Sequence, residues 1–275
     1  MTEDRNADGL RRDWMRTSTI EDMVALVAGG GSGIGEAVAH AFAANGAKVV
    51  VADLRPDMAE SVAADIRSQG GTAIAITMDV CRQADIDAAL AKVDSDWGRL
   101  DMLVNCAGVI TPRRLVDADL ASWRKSFEVN VEGALQLARS ALPMLKKSPA
   151  ASVVNVASLA GGRAYPNGGS YGTSKAALIH LSQTMGVEWA EHGVRVNVIS
   201  PGSVLTPLLL ANMSKATQAA RAERIPLHRM GAPREVADLA VFLASPMASY
   251  ITAQEICCDG GLSQALMVQK WQSDN

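Results

Sequence analysis

Ser158, Tyr171 and Lys175 are the residues whose types and spacing could do chemistry together. Ser158 closes an apolar run, "SVVNVAS", and Tyr171 follows it by 13 residues in "SYGTSKAAL". Tyr171 and Lys175 stand at i and i+4, so on a helix both project from one face. A phenol titrates near ~10 and is a poor base at neutral pH. An ammonium alongside favours the phenolate and lowers that value. Tyr171 could then take the proton of an alcohol as hydride leaves its carbon. Ser158 could donate a hydrogen bond to the same oxygen and steady its developing charge. A tyrosine and lysine at this spacing also occur as a buried ring with a snorkelling amine. What surrounds the pair has to decide.

The surroundings are short apolar runs alternating with amphipathic helical stretches. The runs are "MVALVAG", "AKVVVAD", "TAIAITMD", "LDMLVNCAG", "ASVVNVAS", "VRVNVIS" and a last one near "QEICC". Strand–helix alternation of this kind predicts a parallel sheet with helices on both faces. In such sheets ligands gather at the carboxyl ends of the strands.

Several strand ends carry suitable residues. The first run leads into "AGGGSGIGEAV", in which Gly29, Gly33 and Gly35 are spaced GxxxGxG. A glycine turn there lets backbone approach a pyrophosphate, and the next helix offers free N–H groups. The second run ends at Asp53, twenty residues after Gly33, where an acid accepts from adenosine ribose hydroxyls. Its charge repels a 2′-phosphate. Ser32 and Leu54 supply no nearby cation, although Arg55 follows at one remove. NAD is therefore expected over NADP.

Asp79 and Val80 follow the third run, where an adenine ring could lie, and Asn105, Cys106, Ala107 and Gly108 follow the fourth. Pro201 and Gly202 turn the chain after the sixth, and Thr206 beyond them could bond a nicotinamide carboxamide. An apolar, helix-prone segment at 207–226 could be a lid or a plain connection. Asn130, in the helical stretch "FEVNVEGAL", could hold a water leading to Lys175 or bond a local carbonyl.

Composition narrows the function further. The chain has 275 residues, 48% hydrophobic, with a formal net charge of −3. That suits one large α/β domain and gives no basic surface for nucleic acid or anionic membrane. No apolar run approaches the ~18 residues of a membrane span. Residues 1–22 are polar and read as an arm, 23–262 as one dinucleotide-binding and catalytic domain, and 263–275 as a tail. Cys81, Cys106, Cys257 and Cys258 form no CxxC pair, so neither a disulfide framework nor a zinc site is expected, and a reducing cytoplasm fits. His40, His180, His192 and His228 show no metal-ligand spacing.

Taken together, "GGGSGIG", Asp53, "MDV", "NCAG", Asn130, Ser158, Tyr171 with Lys175, "SPG" with Thr206, and "CDGGL" resemble the short-chain dehydrogenase/reductase family from about Met23 to Gly261. The resemblance implies a Rossmann-type, doubly wound, seven-stranded parallel sheet in a single domain. It implies a catalytic tetrad of Asn130, Ser158, Tyr171 and Lys175, with Lys175 on the nicotinamide ribose and Asn130 anchoring a relay water. The implied cofactor contacts are Gly29, Ser32, Gly33, Ile34, Gly35, Asp53, Leu54, Asp79, Val80, Asn105, Ala107, Gly108, Tyr171, Lys175, Pro201, Gly202, Val204 and Thr206. Such proteins are commonly homotetramers.

The chain departs from the family pattern at Ala28, where Thr is usual, at Cys106 in place of Asn, and at Ala253 in place of Gly. The expected activity is oxidation of a secondary alcohol, or reduction of a ketone, with NAD. The alternatives are an NADPH-dependent 3-oxoacyl-(acyl-carrier-protein) reductase and a non-catalytic dinucleotide-binding protein. Arg163 and Asn167 could bind a polar substrate, while Leu208, Leu209 and Met213 could line an apolar pocket.

Overall fold

Each of the seven apolar runs forms a strand; the side chains of the five interior strands are covered on both faces of the sheet, while the third and seventh, at its edges, are only partly buried. The computed structural model describes residues 20–211 and 213–265. Most of the expected arm and tail lies outside the described residues. Ile20, from the arm, is 2% exposed and packs into the core.

The strands are β1 (Val24–Ala28), β2 (Lys48–Asp53), β3 (Thr72–Thr77), β4 (Met102–Asn105), β5 (Ser152–Val156), β6 (Arg195–Pro201) and β7 (Glu255–Cys258). All pair in parallel, in the order β3-β2-β1-β4-β5-β6-β7. The chain builds outward from β1 to β3, then returns to β4 and builds the other way. The crevice at this reversal opens between the ends of β1 and β4.

Ten α-helices among the described residues connect the strands. They are α1 (Gly33–Ala44), α2 (Pro56–Ser68), α3 (Gln83–Trp97), α4 (Leu120–Phe127), α5 (Gly133–Leu145), α6 (Leu159–Gly162), α7 (Ser170–Glu188), α8 (Pro207–Leu210), α9 (Lys215–Glu223) and α10 (Pro233–Ala244). One layer of core packs Ala25 and Val27 with Phe42 and Leu243. The other packs Val24 and Leu26 with Ile86, Leu137 and Trp189. Alternate residues of one strand thus serve opposite layers.

The amino-terminal edge of the sheet is tied by a buried carboxylate. Asp101 Oδ2 accepts from Val24 N at 2.9 Å and Arg99 Nε at 2.9 Å; Oδ1 accepts from Arg99 Nη2 at 2.7 Å and Ser148 Oγ at 2.5 Å. Arg195, entering β6, donates to the carbonyls of Leu243 (2.7 Å), Ala244 (3.3 Å) and Ser245 (3.2 Å) and so closes the end of α10.

Ala253, just before β7, takes φ = 59°. Its N–H donates to Val196 O at 2.7 Å, so the turn cannot relax without breaking that bond. The left-handed region costs an L-residue ~1–2 kcal/mol, part of which glycine returns as unfolded-chain entropy. Ala253→Gly should raise stability by about 0.5–1 kcal/mol, read as an increased urea midpoint at unchanged slope.

Candidate active site

The glycine turn is built by close approach. Gly29 has φ = 71°, and a Cβ there would lie 2.7 Å from Ala107 N, so the loops after β1 and β4 touch backbone to backbone. This contact ties the loops without the hydroxyl missing at Ala28. A Cβ on Gly35 would lie 2.0 Å from Gly29 O, which makes Gly35 a packing glycine. Gly33, at φ = 60°, opens α1 and donates its N–H to Glu36 Oε2 at 3.2 Å. A carboxylate already rests where the helix terminus favours an anion. Ile34 is half-buried against the core.

Asp53 ends β2 at 7% exposure. Its Oδ2 accepts from Gly31 N and its Oδ1 from Arg55 N, each at 3.0 Å. Arg55 Nη2 also donates to Ser32 Oγ at 3.1 Å, and its Nε lies 3.6 Å from Asp53 Oδ1. The cation that sequence reading set at one remove is therefore folded back onto the site. Leu54 stands out in solvent. Glycines that a side chain would block, a helix terminus and an acceptor-only carboxylate suit a dinucleotide.

At the next strand ends, Asp79 Oδ1 accepts from Cys81 N at 2.9 Å, and Val80 is buried against Gly133. Asn105 Oδ1 accepts from Ala107 N at 3.2 Å, while its buried Nδ2 has no partner among the described residues. Pro201 is buried, Gly202 N donates to Cys258 O at 3.0 Å, and Val204 is buried and bridges to Gly231. Thr206 accepts through its hydroxyl from Leu209 N at 3.3 Å and caps α8, because "TPLL" is a helix start; its own proton stays free to donate. Its side chain lies over Gly33, the first residue of α1.

Ser158, Tyr171 and Lys175 come together. Ser158 caps α6, accepting from Ala160 N at 3.2 Å, and it stands close enough to the Tyr171 hydroxyl to influence its proton. Lys175, one turn along α7, is 4% exposed and donates to Val156 O at 2.8 Å. Burial lowers its pKa to about 8, against which the nearby Cys106 acts weakly. Cys106 is itself pushed up to about 12 by desolvation, so its thiol stays protonated at neutral pH. Burial also raises Tyr171, and the nearby Ser158 hydroxyl opposes this. The expectation that Lys175 lowers the phenol's pKa is not met here. The ammonium is turned toward Val156 O, and desolvation dominates.

Asn130 braces the pair from below. It lies in a π-helical turn, Glu128–Glu132, between α4 and α5. Its Oδ1 accepts from Val109 N at 2.8 Å; its Nδ2 donates to Val109 O at 3.1 Å and Ser174 Oγ at 2.9 Å. Ser174 Oγ donates in turn to Tyr171 O at 2.8 Å. A Cβ on Gly108 would lie 3.2 Å from Asn130 Oδ1 and 3.3 Å from Lys175 Nζ. Both amide protons of Asn130 are committed, which leaves only an acceptor position for a water.

A family model described as "Enoyl-(Acyl carrier protein) reductase" matches residues 28–263. The chain belongs to the short-chain dehydrogenase/reductase family. It is 39% identical over 242 residues to the 2,5-dichloro-2,5-cyclohexadiene-1,4-diol dehydrogenase of Sphingobium indicum, covering 87% of this chain and 96% of that one. It is 34% identical over 256 residues to the 2,3-dihydro-2,3-dihydroxybenzoate dehydrogenase of Bacillus subtilis, covering 90% and 98%. A solved 7α-hydroxysteroid dehydrogenase, complexed with NADH and 7-oxoglycochenodeoxycholic acid, superposes with a TM-score of 0.84 at 32% identity, covering 92% and 97%.

Within this family member, sequence reading missed three glycines. Gly31 donates to Asp53 from a position where a Cβ would lie 2.8 Å from the carboxylate. Gly161 and Gly172 let α6 and α7 meet: a Cβ on Gly161 would lie 2.8 Å from Lys175 C, and one on Gly172 2.8 Å from Ala160 O. The pairs "LAGG" and "SYGTSK" carried that signal. Arg163 donates to Gly162 O at 2.8 Å and reaches Ser263 O at 3.5 Å, so it lies beside the C-terminal segment. Asn167 is a turn residue with φ = 62°. The segment expected at 207–226 is two short helices, and Leu209 and Met213 are half-buried. The side chain of Leu208 lies outside what the structure describes. The described histidines and cysteines form no metal-binding group.

Gly161→Ala pushes a methyl into the α7 backbone. Overpacking of this kind costs about 1–3 kcal/mol, and a lowered urea midpoint measures it.

Proposed function

We propose that this protein transfers hydride between NAD(H) and a ring-borne secondary alcohol or ketone, with Tyr171 as the acid/base. The observation that carries this reading is the meeting of Ser158, Tyr171 and the buried Lys175 ammonium in one place. The relatives' names support the substrate class, since they act on ring diols and a steroid. In oxidation Tyr171 takes the alcohol proton, and Ser158 steadies the same oxygen by hydrogen bonding. Lys175 holds positive charge under the pair, and Asn130 fixes its helix through Ser174. A bound nicotinamide supplies the hydride acceptor or donor.

Gly29, Gly31, Gly33 and Asp53 would hold the dinucleotide. Asp53 supports NAD, because a buried carboxylate at the end of β2 repels a 2′-phosphate. Arg55 favours the second reading, an NADPH-dependent carrier-protein thioester reductase, as its guanidinium lies at Ser32. Its pairing with Asp53 weighs against that reading. We also infer a cytoplasmic homotetramer with all the catalytic residues in the 23–262 domain. Exposed Leu115, Val116 and Leu120 near α4, and Val187 on α7, are apolar faces of the kind that assembly covers. The four free thiols suit a reducing compartment.

Titration with NAD and NADP tests the cofactor, and tighter NADP binding would overturn it. Tyr171→Phe should reduce turnover of cyclic alcohols by at least about 10²-fold while NAD still binds; substantial residual turnover removes Tyr171 from its role. The pH dependence has a definite sign. Oxidation needs phenolate, and burial holds Tyr171 above its ordinary value, so kcat/KM for alcohols should rise with pH across 6–8. Ketone reduction needs the phenol and should not rise over the same range. Initial rates in both directions check this.

A further inference from the structure

Tyr165 is a second phenol at this site, and the chemistry assigned to Tyr171 does not use it. The chain has three tyrosines. Tyr250 is fully exposed, and the other two lie six residues apart in one tightly held unit. Gly168 N donates to Tyr165 O at 3.0 Å, closing a turn over Pro166 and Asn167. Proline presets the first central position of such a turn, and Asn167 takes the left-handed φ of 62° at the second. A Cβ on Gly168 would lie 2.6 Å from Tyr165 Cδ1, so the aromatic ring lies across Gly168.

The turn is joined to the catalytic helix, because Gly168 O accepts from Tyr171 N at 2.9 Å. Gly169 is wedged against the carbonyls of Thr111 and Arg113. The hydroxyls of Thr111, Ser126 and Ser170 bond one another at 2.6–3.0 Å and anchor the start of α7 to α4. Tyr165 therefore has a fixed backbone and a side chain that is 50% exposed. The Tyr165 ring lies across Gly168, the residue whose carbonyl receives Tyr171 N, so the two tyrosines flank one tight turn at the start of α7. Among the described residues no group hydrogen-bonds the Tyr165 hydroxyl.

Resting on the proposed action on ring alcohols, we infer that Tyr165 hydrogen-bonds a second oxygen of the substrate and selects ring alcohols bearing a second hydroxyl. A phenol both donates and accepts, so it can serve that hydroxyl in either sense. A polar group left unpaired in the complex penalises the analogue that lacks the partner.

The test is kcat/KM with NAD for cyclohexanol and for the cis and trans 1,2-, 1,3- and 1,4-cyclohexanediols, using the full-length protein. At least one diol should exceed cyclohexanol by about tenfold, the worth of one hydrogen bond. Tyr165→Phe keeps the ring and should bring that ratio close to one; Tyr165→His returns a ring-borne donor and should restore part of it. Circular dichroism and NAD titration establish that each variant is folded. Equal turnover of diols and cyclohexanol by the unaltered protein, or a ratio that survives Tyr165→Phe, overturns the inference and leaves the ring-alcohol reading standing. Failure to turn over any member of the panel overturns that reading and the inference with it.

Discussion

The ammonium of Lys175 sits inside the protein with one carbonyl, Val156 O, as its hydrogen-bond acceptor. An unpaired charge in such a place is expensive, and the drop of its pKa to about 8 expresses that cost. Its neighbours are arranged to keep it there. Gly108 leaves space where a side chain would crowd the amine and Asn130. Asn130 clamps Val109 and, through Ser174, the turn of helix that carries both Tyr171 and Lys175. Gly161 and Gly172 bring α6 close enough for Ser158 to stand beside the phenol. A small displacement of α7 would separate these groups, which is why glycines stand where α6 and α7 touch.

At the far side of the crevice Asp53 has two tasks. It ends β2 where it would accept from a ribose, and it also holds the glycine turn through Gly31 N and the following turn through Arg55 N. The acid that would recognise the cofactor is thus part of the loop that would receive it. Cofactor selectivity and loop geometry are coupled, and neither residue of the Asp53–Arg55 pair can be exchanged without altering both.

The five interior strands were legible because strands buried on both faces read as apolar runs, and β3 and β7, only partly buried at the edges, still kept enough apolar residues to be found. The glycine turn, Asp53 and the Tyr171–Lys175 spacing were legible for similar reasons, since each depends on residues close in sequence. What escaped depends on contacts between distant segments. The π-helical turn around Asn130 leaves no mark in "FEVNVEGAL", whose apolar spacing suits an ordinary helix. Gly161 is needed because Lys175 lies against it, and that contact exists only after folding. The direction of the Tyr171 shift was misread because spacing shows that two groups are neighbours, but not which way an ammonium turns or how much water is lost. The Thr206 cap is different: "TPLL" announced it.

The Asp101 tie lies at the end of the sheet opposite the crevice. It joins β1, the turn before β4 and the segment before β5, so three central strands are held where no substrate comes. This separation bears on how such a protein can diversify. The loops that meet the substrate can exchange residues, lengthen or shorten while the anchored end keeps the strands in register. Ancestry can therefore be preserved at one end of the sheet while new substrates are tried at the other.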